Sequence, residues 1–233
     1  MLSAAAFSGA SLLALLGGEL TPRGRSYLVA IAAGILLSLA FGDLFPEGLE
    51  LADNRAVLGF VGGFSLLFLT ESFTRAHTHH SPEDTGKHAQ GPFVLGLAIH
   101  NLADGFVVGV SGRISEISAG MVGLGVFIHQ VPVGISVAAV LAAARVARRR
   151  VIRTALLLGL AIPLASVLTL ALPIPGGSFL GILTGAAGGV LAYVGAGHLL
   201  PEARAEHPGK SSGLLFVATF VVTTAGLLVL PGG

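Results

Sequence analysis

The chain has 233 residues, of which 53% are hydrophobic and only 11% charged, where a soluble domain carries about 25% charged residues. A net charge of +1 leaves no broad basic face for nucleic acid, and the absence of cysteine excludes both disulfides and thiolate metal sites. With a mean hydropathy of +0.87, the composition belongs to an all-α membrane protein.

A bilayer core of about 30 Å takes roughly 20 apolar residues per helix. In chain order, the uncharged stretches predict eight transmembrane helices, near 2–18, 26–50, 56–76, 92–111, 117–145, 152–172, 177–203 and 212–230. The first lacks the basic leader of a signal peptide and is read as a span. The sixth and seventh are separated at Pro173, Pro175, Gly176 and Gly177, residues that interrupt helices. The whole of 1–233 reads as a single transmembrane domain, with a short histidine-containing loop at about 77–90.

Basic residues set the expected orientation, because cytoplasmic loops collect Lys and Arg. Alternate loops hold Arg23 and Arg25; Arg75 and Lys87; Arg145, Arg148, Arg149, Arg150 and Arg153; and Arg204 and Lys210, which make 11 of the 13 basic residues. The other loops hold only Arg55 and Arg113. The first set is therefore expected in the cytoplasm and both termini outside the cell. With no transit peptide evident, a multi-pass protein of a bacterial inner membrane is expected. The arginines at 145–153 are expected to fix topology and touch anionic lipid.

Two internal resemblances organise the eight helices. Gly42-Asp43-Leu44-Phe45-Pro46-Glu47 in the second matches Gly197-His198-Leu199-Leu200-Pro201-Glu202 in the seventh at four of six positions. The two helices run in opposite directions, so the motif lies at opposite membrane faces. This is the pattern of an inverted repeat, with helices 1–3 mirrored by 6–8. The second pair is His100-Asn101-Leu102-Ala103-Asp104-Gly105 in the fourth helix and His129-Gln130-Val131-Pro132-Val133-Gly134 in the fifth. Helices 4 and 5 are expected to form the centre. A small-residue stripe, Gly181, Gly185 and Gly189, predicts close packing of helix 7.

His100 and His129 fall near the middle of their spans, and Asp104 shares a helix face with His100. A carboxylate at bilayer centre costs about 2.5–3.5 kcal/mol on insertion scales, so it needs a partner, a cavity or a cation. Imidazole nitrogen with carboxylate oxygen suits zinc, iron, manganese and similar divalent ions. Asn101 and Gln130 offer amide oxygens or supporting hydrogen bonds. The alternative is a polar network that only joins helices 4 and 5.

On HNxxDG in helix 4, HQxPxG in helix 5, Gly159–Leu164 in helix 6 and HLLPE in helix 7, the chain resembles the ZIP (Zrt/Irt-like) metal transporters over nearly its whole length. The resemblance implies eight helices with both termini outside, a binuclear metal site between helices 4 and 5, and zinc, iron, manganese or cadmium carried into the cytosol as substrate, with no resident cofactor. Carried over by position, it gives His100 and Asp104 as ligands, with Asn101, His129 and Gln130 contributing. The chain departs from the family pattern in three places. Ala103-Asp104 replaces Pro-Glu, Val133 replaces a Glu of helix 5, and Ile162 replaces a Glu of helix 6. Without those carboxylates one metal per site is expected.

Asp43 and Glu47 at the outer end of helix 2 are expected to draw cations in, and His198 and Glu202, joined by Glu71, to form the exit. Interfacial charges in contact with headgroups and water are the plainer reading. His77, His79, His80 and His88 lie in the 77–90 loop, where ZIP-like proteins commonly carry histidines; metal capture and a solvated linker both fit. Two other functions stay open: an intramembrane zinc hydrolase built on His100, Asp104 and His129, and a transport-impaired regulatory member. The expected partners are the metal ion and membrane lipid, with no nucleic acid, and a homodimer stays open.

Overall fold

The computed structural model describes residues 2–16, 21–76, 90–143, 145–173, 175–206 and 209–229. Those residues are helical almost throughout, with no strand among them. Helix α1 covers Leu2–Leu15, α2 Pro22–Ala52, α3 Arg55–Ala76, α4 Gln90–Ile114, α5 Glu116–Ala143 and α6 Arg148–Ala171. Helix α7 runs from Ser178 through Glu206 and α8 covers Lys210–Val229. Seven are long and apolar enough to cross a membrane. The eighth, α1, has 14 described residues and lies against α5 and α6.

Helix α2 starts four residues before its expected position. Thr21 accepts a hydrogen bond from the Gly24 amide at 3.1 Å, and Pro22 occupies the first helical turn, where a missing N–H costs nothing. The break between α6 and α7 falls at the expected prolines and glycines, and Gly177 has φ 65°, a conformation that Cβ disfavours.

Packing follows the inverted repeat. Exchanging α1 with α6, α2 with α7, α3 with α8 and α4 with α5 maps the tight pair α3–α7 onto α8–α2, and α1–α5 onto α6–α4; all four pairs are in extensive contact. Individual residues obey the same exchange. A Cβ on Gly189 of α7 would collide with the Phe60 carbonyl and the Phe64 amide of α3, and one on Gly34 of α2 would collide with the Phe216 carbonyl and the Phe220 amide of α8. Gly105 of α4 seats against the Ile162 carbonyl of α6, and Gly134 of α5 against the Phe7 carbonyl of α1. The predicted stripe is part of this: Gly185 and Gly189 meet the backbone of α3, while Gly181 meets Leu51 and Ala52 of α2.

Both motif helices widen to a π turn at the same place, Ala40–Leu44 in α2 and Tyr193–Leu199 in α7. Each π segment ends just before a proline, Pro46 or Pro201. A proline cannot donate to the carbonyl four residues back and its ring crowds that carbonyl; a π turn is a local way to accommodate this. Arg25 and Ser26 at the start of α2 touch Glu202 and Ala203 at the end of α7. Asp43 lies 18 residues further along α2, about 27 Å away at 1.5 Å per residue. The two copies of the motif therefore stand at opposite ends of the molecule.

Candidate metal site

At the centre, α4 and α5 turn five polar side chains toward each other. Asp104 Oδ2 lies 3.1 Å from His129 Nε2 and 3.5 Å from His100 Nε2, and it accepts a hydrogen bond from Gln130 Nε2 at 2.7 Å. The Gln130 amide also reaches Asn101 Oδ1 at 3.3 Å, and Asn101 Nδ2 donates to the Leu158 carbonyl of α6 at 2.8 Å. Asp104, Asn101, His129 and Gln130 are fully buried.

His129 Nδ1 stands 3.3 Å from the Gly125 carbonyl. A carbonyl and a carboxylate both only accept, so a neutral His129 can donate to one of them and turns a lone pair to the other. Only an imidazolium, or a cation held on Nε2 beside the carboxylate, meets both contacts at once. His100 Nε2, Asp104 Oδ1 and Gln130 Oε1 are also buried without a hydrogen-bond partner. A buried polar atom left in this way is costly, and here all three belong to one cluster.

His100, Asp104 and His129 each offer one donor atom within 4.8 Å of the others, a grouping unique among the described residues. A tetrahedral ion with bonds of about 2.0 Å separates its donors by about 3.3 Å, close to the 3.1 and 3.5 Å observed. The donor set is imidazole and carboxylate, with carboxamides alongside, and among the described residues no Lys or Arg pairs with Asp104. The arrangement could hold one divalent transition-metal ion. Val133 and Ile162 are both buried and apolar.

A second polar cluster begins beside it. The His100 and His198 rings are 6.0 Å apart. His198 Nδ1 is 3.0 Å from Glu71 Oε1, and its Nε2 is 3.7 Å from Glu202 Oε2. Side-chain exposure rises from zero at Asp104 to 15% at His100 and 30% at His198, so the central site opens toward this end. Tyr193 donates a hydrogen bond to Glu71, and Arg25 pairs with Glu202 at 2.8 Å. Neither Tyr193 nor Arg25 is evident from sequence: Tyr193 joins His198 on Glu71 through the π turn, and Arg25 arrives from a distant helix.

The Asp43 end is built differently. Asp43 accepts a hydrogen bond from Ser118 of α5 at 2.7 Å, and Glu47 lies one turn on. Among the described residues no basic side chain pairs with either. His77, His79, His80 and His88 lie outside the described residues.

With this geometry in view, the comparison with known proteins is specific. The profile of the ZIP zinc transporters matches residues 92–231, a stretch that includes all five residues of the central cluster. The chain belongs to the ZIP zinc transporter family. It is 26% identical over 225 residues to the zinc transporter ZupT of Corynebacterium glutamicum, covering 86% of each chain. It is 27% identical over 231 residues to ZupT of Corynebacterium aurimucosum, covering 89% of this chain and 87% of that one. A putative zinc transporter of Arabidopsis thaliana is 28% identical over 211 residues; the match takes in 88% of this chain but 34% of the plant protein, so the chain spans about a third of that relative. ZIP proteins are transporters, not enzymes, and the metal is their cargo rather than a resident cofactor.

Proposed function

We propose that this ZIP-family protein carries zinc, or a similar dication such as iron, manganese or cadmium, into the cytosol through the site formed by His100, Asp104 and His129. The observation that supports this most directly is the convergence of three metal-ligand side chains at mid-helix, with unpartnered atoms on His100 and Asp104 and no Lys or Arg on Asp104 among the described residues. Gln130 donates to the carboxylate, and Asn101 and Gln130 together tie α4 to α5 and α6. The names of the corynebacterial relatives favour zinc as the cargo.

The route runs from Asp43 and Glu47, past the central site, to His198, Glu71 and Glu202. From the charge distribution, the His198 end faces the cytosol, both termini lie outside, and the membrane is a bacterial inner membrane. A potential of about 100 mV, inside negative, favours inward movement of a dication by roughly 4.6 kcal/mol, enough to drive uptake without a coupled ion. The histidines at 77, 79, 80 and 88 take up released metal. Exposed apolar side chains on α3 and α8, such as Leu58, Phe73, Val222 and Leu228, face lipid or a second copy of the chain.

A zinc hydrolase needs three ligands, an open water position and a general base. In this cluster Asp104 would have to serve as both ligand and base, which favours transport. Metal uptake by purified protein in proteoliposomes, with lipid and peptide hydrolysis measured on the same preparation, tests the reading. Uptake without hydrolysis is expected, and hydrolysis without uptake overturns it.

A further inference from the structure

The two ends of the repeat are charged differently, and the guanidinium of Arg25 belongs to one of them alone. Sequence numbers 155 apart are equivalent, since this offset superimposes Gly42 on Gly197 and Glu47 on Glu202. The residue equivalent to Arg25 is then Leu180. Glu202 therefore carries a guanidinium on Oε1 at 2.8 Å, while its counterpart Glu47 has no basic partner among the described residues. The Arg25 position is held by the backbone: the adjacent Ser26 hydroxyl donates to the Ala203 carbonyl at 2.7 Å, buried. Arg25 and Glu202 are themselves mostly shielded, at 20% and 22% side-chain exposure. The other Glu202 oxygen faces His198, whose far nitrogen is on Glu71.

We propose that Arg25 is a tethered cation that competes with the departing metal for Glu202 and so keeps the His198 end from retaining it. The inference rests on the route proposed above. Glu71, Glu202 and His198 would together present two negative charges and an imidazole to a dication, a set that binds tightly. The guanidinium cancels one of those charges and holds a carboxylate oxygen in a charge-assisted hydrogen bond. Metal leaving His100 finds enough negative charge to be drawn onward and too little to be held. At the Asp43 end, where capture is needed, the repeat places leucine in place of arginine.

The test is cadmium binding to purified, detergent-solubilised protein, counted by equilibrium dialysis, in an Asp104→Asn background that disables the central site. Adding Arg25→Gln is expected to tighten binding at least tenfold, Arg25→Lys to leave it as it was, and Glu202→Gln on top of Arg25→Gln to remove the gain. Arg25→His at pH 8, neutral but still able to donate to Glu202, gives the same gain should the glutamine variant not fold. In liposomes, Arg25→Gln alone is expected to lower maximal uptake severalfold with KM unchanged. Unchanged cadmium affinity in the neutral variants overturns the proposal, as does a gain that survives Glu202→Gln. Failure of the route itself reads differently, as normal uptake when Asp104 is replaced.

Discussion

His129 points Nε2 at Asp104 Oδ2, 3.1 Å away, while its Nδ1 rests on the Gly125 carbonyl. The ring therefore lies between two oxygens that can only accept, one from the helix backbone and one from the carboxylate. If a cation occupies the gap between Nε2 and Oδ2, His100 and Asp104 supply most of its remaining coordination. His100→Ala and Asp104→Ala are expected to abolish metal uptake, a larger loss than the roughly 10–100-fold typical of a supporting hydrogen bond. Transport of radioactive zinc at equal membrane abundance checks this, and wild-type rates in either variant would mean that the metal passes elsewhere.

Gln130 links the carboxylate of α4 to the carboxamide beside it. Its amide donates to both Asp104 and Asn101. Gln130→Leu keeps the volume and removes the donor, so zinc affinity should fall by roughly 10–100-fold with the fold intact. Titration of purified protein with zinc gives the number directly.

One metal per site is expected. Val133 and Ile162 are buried and apolar, and two dications a few ångströms apart repel strongly unless several carboxylates offset them. Anomalous diffraction from zinc-soaked crystals should show one strong peak between α4 and α5. Two peaks would require Asn101, Gln130 and backbone carbonyls to build a second site.

Gly189 tests the packing. Its α-carbon faces the Phe60 carbonyl of α3 so closely that any side chain collides with backbone. Gly189→Leu should destabilise the protein by more than the roughly 1–3 kcal/mol usual for overpacking, because a peptide group cannot move aside as a side chain can. A thermal melt monitored by size-exclusion in detergent reads the loss. Gly62, whose Cβ would meet nothing within 4 Å, is the matched control, and Gly62→Leu should melt near wild type.

Orientation is checked with cysteines, since the chain has none of its own. Glu116→Cys, between α4 and α5, should react with an impermeant thiol reagent in intact cells. Ala147→Cys, beside the arginines that open α6, should be protected. The reverse pattern would invert the direction of transport.

The eight helices were legible because long uncharged runs leave the chain no arrangement that water would tolerate. The central five residues were legible because a histidine followed by a carboxamide, with a glycine five residues after the histidine, recurs on two neighbouring helices, and a carboxylate stands one turn after the first of them. The surroundings were not. Tyr193 and His198 both reach Glu71, yet residues five apart do not share a face of an α-helix; only the π turn aligns them. Arg25 and Glu202 are separated by 177 residues, and their meeting depends on how α2 and α7 lie together. One signal was present and is clear in retrospect. The offset that aligns the two proline motifs also aligns Gly34 with Gly189, which pack against Phe216 and Phe60 in the same manner.

The central cluster draws only on imidazole, carboxylate and carboxamide groups, and no thiol exists anywhere in the chain. Peroxide and disulfide exchange have no sulfhydryl here to act on. Soft ions such as copper(I), which favour thiolate and thioether donors, find little to hold them. Where a thiolate-based carrier would stall under oxidising conditions, this protein should keep its selectivity and its rate.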